Sequence, residues 1–293
     1  MRSGGRAVRR SAESEPASAA ATQAESGPEC GSGPEYGNWV STRFVVVPSL
    51  AAAVLVVLAV GLHVVGPHGA VLHWLVGVAL AAAVLVALVA AYFAYARRLL
   101  AVGDGAVQAR VQGLVLDHLA WGGEGEALDI GCGNGPLTVA LARRFPRAVV
   151  TGVDFWGESW EYSQSVCETN AACEQVAERA SFVKAGAAEL PFADGRFAAV
   201  VSNLCFHEVR DAADKREVLR EALRVLEPGG AFAFQDLFRL KGAYGEIDDL
   251  LAAVRGWGVG QVEFLDTGHA DFIPRGLRLP FMVGSMGLLY GRK

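Results

Sequence analysis

Three glycines on alternate positions, Gly131, Gly133 and Gly135, interrupt the chain just after an apolar run, Ala127 to Ile130, that carries Asp129 within it. Pro136 follows at once and opens a helix-like segment, where its missing N–H costs nothing. A buried strand, a glycine turn and a helix N-terminus make a place where backbone can come close to a ligand. The five cysteines, Cys30, Cys132, Cys167, Cys173 and Cys205, contain no C-x-x-C pair. That pattern points to reduced thiols rather than a zinc site or a disulfide framework, and no metal centre is expected.

The glycine turn needs a sheet behind it. Ala148 to Val153, Ala180 to Lys184, Ala198 to Ser202 and Ala231 to Gln235 read as further strands. Helical patterns fall at Val107 to Leu119, Ser159 to Val176 and Asp214 to Leu226, the last closed by Pro228-Gly229-Gly230. Alternating strands and helices argue for a mostly parallel sheet covered on both faces, with ligands beyond the carboxyl ends of its strands. Two more strands, Val262 to Leu265 and Gly284 to Tyr290, have no clear helix between them and are expected as an antiparallel pair. The intervening residues, Asp266 to Val283, are expected to form a loop over the site.

Upstream the composition changes twice. Residues 1–42 are poor in large apolar side chains and read as a disordered cytoplasmic tail. From Phe44 to Ala96 there is no Asp, Glu, Lys or Arg. Phe44 to Val65 and Val71 to Ala96 are each long enough to cross a bilayer core of about 30 Å, with Gly66-Pro67-His68-Gly69 as the turn. Residues 43–98 therefore read as a two-helix transmembrane hairpin, with Trp74, Tyr92, Phe93 and Tyr95 near its interfaces. Arg43 precedes it and Arg97-Arg98 follow, so both termini and residues 99–293 are expected in the cytoplasm, making an integral membrane protein of two spans. Residues 99–293 hold 19 Lys and Arg against 26 Asp and Glu, a poor match to the phosphates of DNA or RNA.

Four segments in order carry a resemblance: Leu128–Gly135 (LDIGCGNG), Val150–Trp156 (VTGVDFW), Glu189–Phe197 (ELPFADGRF) and Val225–Phe232 (VLEPGGAF). Over roughly Val107 to Lys293 the chain resembles the class I S-adenosylmethionine-dependent methyltransferases, most of all the branch that includes quinone and sterol C-methyltransferases. The resemblance implies an α/β fold, a Rossmann-like seven-stranded doubly wound sheet with an antiparallel last strand, here preceded by the two transmembrane helices. It implies S-adenosylmethionine as cofactor, Asp129 fixing the turn near the methionine end, and Gly131, Gly133 and Gly135 leaving room for the methionine and ribose groups. Asp154, about twenty residues past the turn, would accept ribose hydroxyls, and one of Phe155 and Trp156 would lie on the adenine face. The competing dinucleotide fingerprint, G-x-G-x-x-G, needs a third glycine where Pro136 stands.

The chain also departs from the family. Gly186 stands where many members have an Asp for the adenine amino group, so backbone around Ala187-Ala188 is expected to take that role. The segment Ser202 to Val209, with Asn203 at its start, runs beneath the sulfonium in related enzymes. His207 and Glu208 are the candidate bases, with Asp236 a third. The expected activity is methyl transfer to a small, lipophilic or lipid acceptor at the bilayer. Alternatives are an S-adenosylmethionine-binding membrane module without turnover, methyl transfer to a thiol-bound or soluble small molecule near Cys132 and Cys205, and aminopropyl transfer on the same fold.

Overall fold

The computed structural model describes Met1 and residues 33–66, 69–101, 106–157 and 161–293. Most of the tail expected to be disordered, Pro67 and His68 of the hairpin turn, and the expected helix start at Ser159 lie outside these residues.

Two long helices come first, α1 (Arg43–Val65) and α2 (Ala70–Leu99). They pack along each other, and both are long and apolar enough to cross a membrane, with mean hydropathy 2.7 and 2.6. Their buried positions are alanines at helical spacing, Ala52 and Ala59 on α1 and Ala83 and Ala90 on α2. Small residues let the two backbones approach, while the Val and Leu side chains face outward.

The remainder forms one seven-stranded sheet in the order β3-β2-β1-β4-β5-β7-β6. Its strands are β1 (Glu124–Ile130), β2 (Arg147–Asp154), β3 (Ala180–Lys184), β4 (Phe197–Asn203), β5 (Leu226–Asp236), β6 (Gln261–Asp266) and β7 (Gly287–Arg292). The first five run parallel, and β7 is antiparallel to both β5 and β6, as the resemblance implied. Because side chains alternate across each strand, the sheet feeds two cores. Leu128, Ile130, Val200, Phe232 and Phe234 face α6 (Lys215–Arg224), α7 (Lys241–Tyr244) and α8 (Ile247–Gly256). Ala127, Val150, Ala199, Val201 and Ala233 face α3 (Val107–His118), α4 (Pro136–Arg144) and α5 (Gln164–Cys173). Order reverses between β1 and β4, so the crevice beyond their carboxyl ends is where this class of sheet binds ligands.

Several elements differ from the sequence expectation. Helix α5 ends at Cys173 rather than Val176, because Gln175 takes a left-handed conformation and the Val176 N–H reaches back to the Ala171 carbonyl. Pro228-Gly229-Gly230 does not separate α6 from β5 but lies inside β5 as an irregularity between the pairs Phe197–Leu226 and Ala199–Ala231. The loop 266–283 turns toward the hairpin: the Tyr92 hydroxyl donates to the Gly276 carbonyl at 3.1 Å. Residues 33–41, counted with the disordered tail, are packed against the domain. Cys132, Cys167 and Cys205 are free thiols, but Cys173 is disulfide-bonded, against the expectation of reduced thiols throughout.

A third apolar cluster joins hairpin to domain. It holds Val40, Ala96, Leu100, Val107, Val111, Leu237, Ile273, Leu277 and Val283. Helix α3 serves both bodies, with Val107 and Val111 in this joint and Val115 and Leu116 under the sheet.

Candidate functional site

The glycine turn leaves β1 with φ of +73° at Gly131, +58° at Gly133 and +80° at Gly135, a region that side chains rarely tolerate. Space matters most at Gly131, where a Cβ would lie 2.3 Å from the Cβ of Cys205. The turn is fixed from β2: the N–H groups of Gly131 and Cys132 both donate to the Val153 carbonyl, at 2.8 and 3.1 Å.

Asp129 is buried at the end of β1 and accepts a hydrogen bond from the Thr138 hydroxyl at 2.6 Å. Burial pushes its carboxyl up to about 7, with the nearby Asp154 charge adding to the rise. Asp154, at the tip of β2, accepts from the Gly133 N–H through Oδ2 and from the Trp156 N–H through Oδ1, both at 2.9 Å. Burial raises its pKa while these N–H groups favour the anion. A carboxylate has about four acceptor positions, so two remain for ligand hydroxyls. The two aromatic candidates part company. Trp156, at φ +43°, ties its indole N–H to the Gly133 carbonyl at 2.8 Å, whereas Phe155 is 64 % exposed beside the Lys184 ammonium. Gly186 opens onto empty space, with nothing within 4 Å of an added Cβ, and Ala187 lies partly buried against the core beside it.

At the end of β4 the Asn203 Oδ1 is buried with no hydrogen-bond partner among the described residues. A buried acceptor left unpaired is costly, so this atom is available to a ligand at the end of β4. The glycine cradle, the two open acceptor positions on Asp154 and the orphaned Asn203 amide together fit the cofactor that the sequence implied.

Beyond Asn203, Leu204 takes φ +56° and a single 3-10 turn, Phe206–Glu208, presents His207. Its Nδ1 lies 2.7 Å from the Asp236 Oδ1 and its Nε2 lies 3.4 Å from the Glu208 Oε1. Burial acts to lower the imidazole pKa, yet the Asp236 charge and hydrogen bond, joined by Glu208, raise it to about 10. At neutral pH the ring is therefore a cation held between two carboxylates, and Glu208 is pulled below its usual range by the same contact. Asp236 is the hub: fully buried, it also accepts the Phe206 N–H at 2.7 Å and the Leu237 N–H at 2.6 Å. Burial pushes the Cys132 and Cys205 thiols well up, which disfavours the thiolates that a thiol-bound acceptor would need.

Sequence reasoning missed a strap. Residues 33–41 cross the outer side of the glycine turn, where the Glu35 N–H donates to Asn170 Oδ1 and the Asn170 amide returns to the Glu35 carbonyl, at 2.8 and 2.9 Å. Asn134 reaches the same carbonyl at 3.2 Å, and the Tyr162 hydroxyl donates to the Asn38 carbonyl at 3.0 Å while its ring lies over Gly133. The strap then ties into the hairpin, with the Asn38 amide on the Arg97 carbonyl and the Arg97 guanidinium on the Val40 carbonyl. One signal was legible: Asn170 sits on the apolar face of α5 with Cys167 and Ala171, and a buried amide there requires partners.

Residues 127–230 match a family model described as a methyltransferase domain. Among curated proteins, the ubiquinone/menaquinone biosynthesis C-methyltransferase UbiE of Geotalea daltonii is 34% identical over 36% of this chain and 43% of its own length. The 27-O-demethylrifamycin SV methyltransferase of Amycolatopsis mediterranei is 33% identical over 51% of this chain and 53% of its own. The demethylmenaquinone methyltransferase of Staphylococcus aureus is 35% identical over 36% and 40%. The chain thus spans about half or less of the length of these relatives. Over residues 127–230 the chain is therefore similar to methyltransferase domains, in keeping with its seven-stranded sheet and its glycine turn.

Proposed function

We propose that the protein is a membrane-anchored methyltransferase acting on a small lipophilic acceptor. S-adenosylmethionine supplies an electrophilic methyl group on a good leaving group, so the domain's task is chiefly proximity and alignment. Gly131, Gly133, Gly135, Asp129, Asp154 and Asn203 hold it, with Ala187 and Phe155 bordering the adenine end. His207 supplies positive charge at the end of β4, which stabilises an acceptor oxygen reacting as its anion. With its pKa near 10, the ring takes no proton from the acceptor at neutral pH.

The observation that carries the lipophilic acceptor is the apolar joint. Leu204 and Leu237, next to Cys205 and Asp236, pack with Ala96 and Leu100 at the end of α2, so the site's acceptor side is walled by membrane-proximal residues. The quinone methyltransferases among the relatives agree with that acceptor class. Incubating the purified full chain with methyl-labelled S-adenosylmethionine and fractionated cell extract is expected to label the lipid fraction. Label confined to protein or aqueous fractions overturns the acceptor class. Cofactor binding without label in any fraction favours the non-catalytic module, a reading supported by the missing acid at Gly186.

We place both termini and the domain in the cytoplasm, because Arg43, Arg97 and Arg98 bracket the spans. Protease added to sealed vesicles of known orientation is expected to cleave the domain only from the cytoplasmic face.

A further inference from the structure

We propose that the loop between β6 and β7 is a third membrane-contacting element, with Leu279, Pro280 and Phe281 seated in the interfacial layer of the bilayer beside α2. The inference rests on the hairpin spanning a membrane.

The level of the bilayer surface can be read from the hairpin. Helix α1 opens with Arg43, and the next residue, Phe44, stacks on Phe93 of α2 with ring centroids 5.2 Å apart. The charge-free stretch begins at Phe44, so the height of Phe93 marks where lipid begins. Helix α2 runs on to Leu99, about 9 Å farther at ~1.5 Å per residue, and carries Arg97 and Arg98 into the headgroup layer.

The loop comes down to that height. The Tyr92 hydroxyl donates to the Gly276 carbonyl, and the Tyr92 ring meets the Phe281 ring edge-on at 6.1 Å. Gly276 permits the approach, since a Cβ there would lie 2.9 Å from the Tyr95 ring. Phe281 is therefore beside a residue one position inside the lipid boundary, yet it is 64 % exposed, and Leu279 is 39 % exposed. Large apolar side chains presented together in this way need a partner.

The tip is held firmly rather than draped. Met282 and Gly284 both donate backbone N–H groups to the Leu279 carbonyl, at 2.9 and 3.0 Å, and Val283 donates to the Leu277 carbonyl at 3.2 Å. Ile273, Leu277 and Val283 are buried in the joint with Ala96 and Leu100. The Arg278 guanidinium is turned inward onto the Ile273 and Ala270 carbonyls, at 3.0 and 3.2 Å, which leaves the tip apolar. Arg275, four residues before Leu279, is exposed and suited to anionic headgroups. An aromatic and aliphatic tip beside two apolar helices fits a lipid surface. Because Leu204 and Leu237 share the joint, an acceptor dissolved in the bilayer meets the protein next to the site.

The test uses the full chain in phosphatidylcholine–phosphatidylglycerol vesicles containing phosphatidylcholine brominated high on its acyl chains. Trp is introduced singly at Phe281, at Leu58 near the middle of α1, and at exposed Val149 on β2, and the added emission is read against the parent protein. Phe281→Trp is expected to lose most of its added emission, more than Leu58→Trp, while Val149→Trp keeps its own. Quenching at Leu58 (with lipid brominated deeper) but not at Phe281 overturns the inference and leaves the hairpin standing. Quenching at neither position removes the membrane reading itself. Emission from Phe281→Trp that ignores brominated lipid but changes on protein dilution identifies a second copy as the occupant and also overturns the inference.

Discussion

Asp154→Ala is expected to weaken S-adenosylmethionine binding about 100-fold, which corresponds to roughly 2.7 kcal/mol. The magnitude follows from what the carboxylate does before any ligand arrives. It holds Gly133 and Trp156 by two backbone N–H groups at 2.9 Å, and hydrogen bonds to a charged acceptor contribute about 1.5–3 kcal/mol each. Without it the glycine turn keeps its bonds to the Val153 carbonyl but loses the tie at Gly133, and the Trp156 indole loses the backbone geometry that seats it on the Gly133 carbonyl. The two acceptor positions offered to ligand hydroxyls vanish at the same time. Titration calorimetry measures the affinity, and thermal melts of both proteins show whether the fold survives. Asp154→Asn retains an oxygen but brings an amide N–H against a backbone N–H, so it is expected to fall between the two. A variant that melts cooperatively and binds within twofold of the parent removes Asp154 from the cofactor site.

Much of that site is short-range in the chain, which is why it was legible. Asp129, the three glycines and Pro136 all lie between positions 129 and 136, and their spacing demands a strand, a left-handed turn and a helix start whatever surrounds them. The strand–helix alternation was equally readable, because the inner strands β4 and β5 are buried on both faces over most of their length and therefore read as apolar runs. The strap was not readable. Tyr36, Trp39 and Val40 are its large apolar side chains, at the end of a tail otherwise poor in them, and the rest of its order comes from side-chain amides such as Asn170, separated from Glu35 by 135 positions. Composition measures how much surface a segment can bury, not whether a distant amide will satisfy its backbone. The end of α5 failed for a local reason: the apolar pattern runs on to Val176, but the turn at Gln175 closes the helix first. The charge of His207 was hidden for a third reason. Its type and place were visible, yet its protonation depends on Asp236, 29 positions away, turning into the same crevice.

That pairing gives the other large effect. Asp236→Ala is expected to destabilise the domain by about 3–5 kcal/mol, the usual result of removing one partner from a buried ion pair. It leaves the His207 cation and the N–H groups of Phe206 and Leu237 without their acceptor. At about 2–4 °C per kcal/mol for a domain of this size, the melting temperature should fall by roughly 10 °C. Asp236→Asn, which keeps an acceptor oxygen but not the charge, should fall less. The pH dependence separates the charge from simple packing. The His207 pKa in the folded state, about 10, lies above its unfolded value of about 6.5. Its contribution to stability is therefore complete below about pH 6.5 and is lost as pH rises through 10. Cys205 and Tyr244 face the same hub, but burial raises both, and Glu208 titrates below the usual carboxylate range. Parent protein should thus lose melting temperature between pH 6.5 and 10, and both Asp236→Asn and His207→Gln should flatten that slope. A parent as flat as the variants would mean that His207 is neutral in the crevice and free to take a proton. Its role in methyl transfer would then change from stabilising an acceptor anion to creating one.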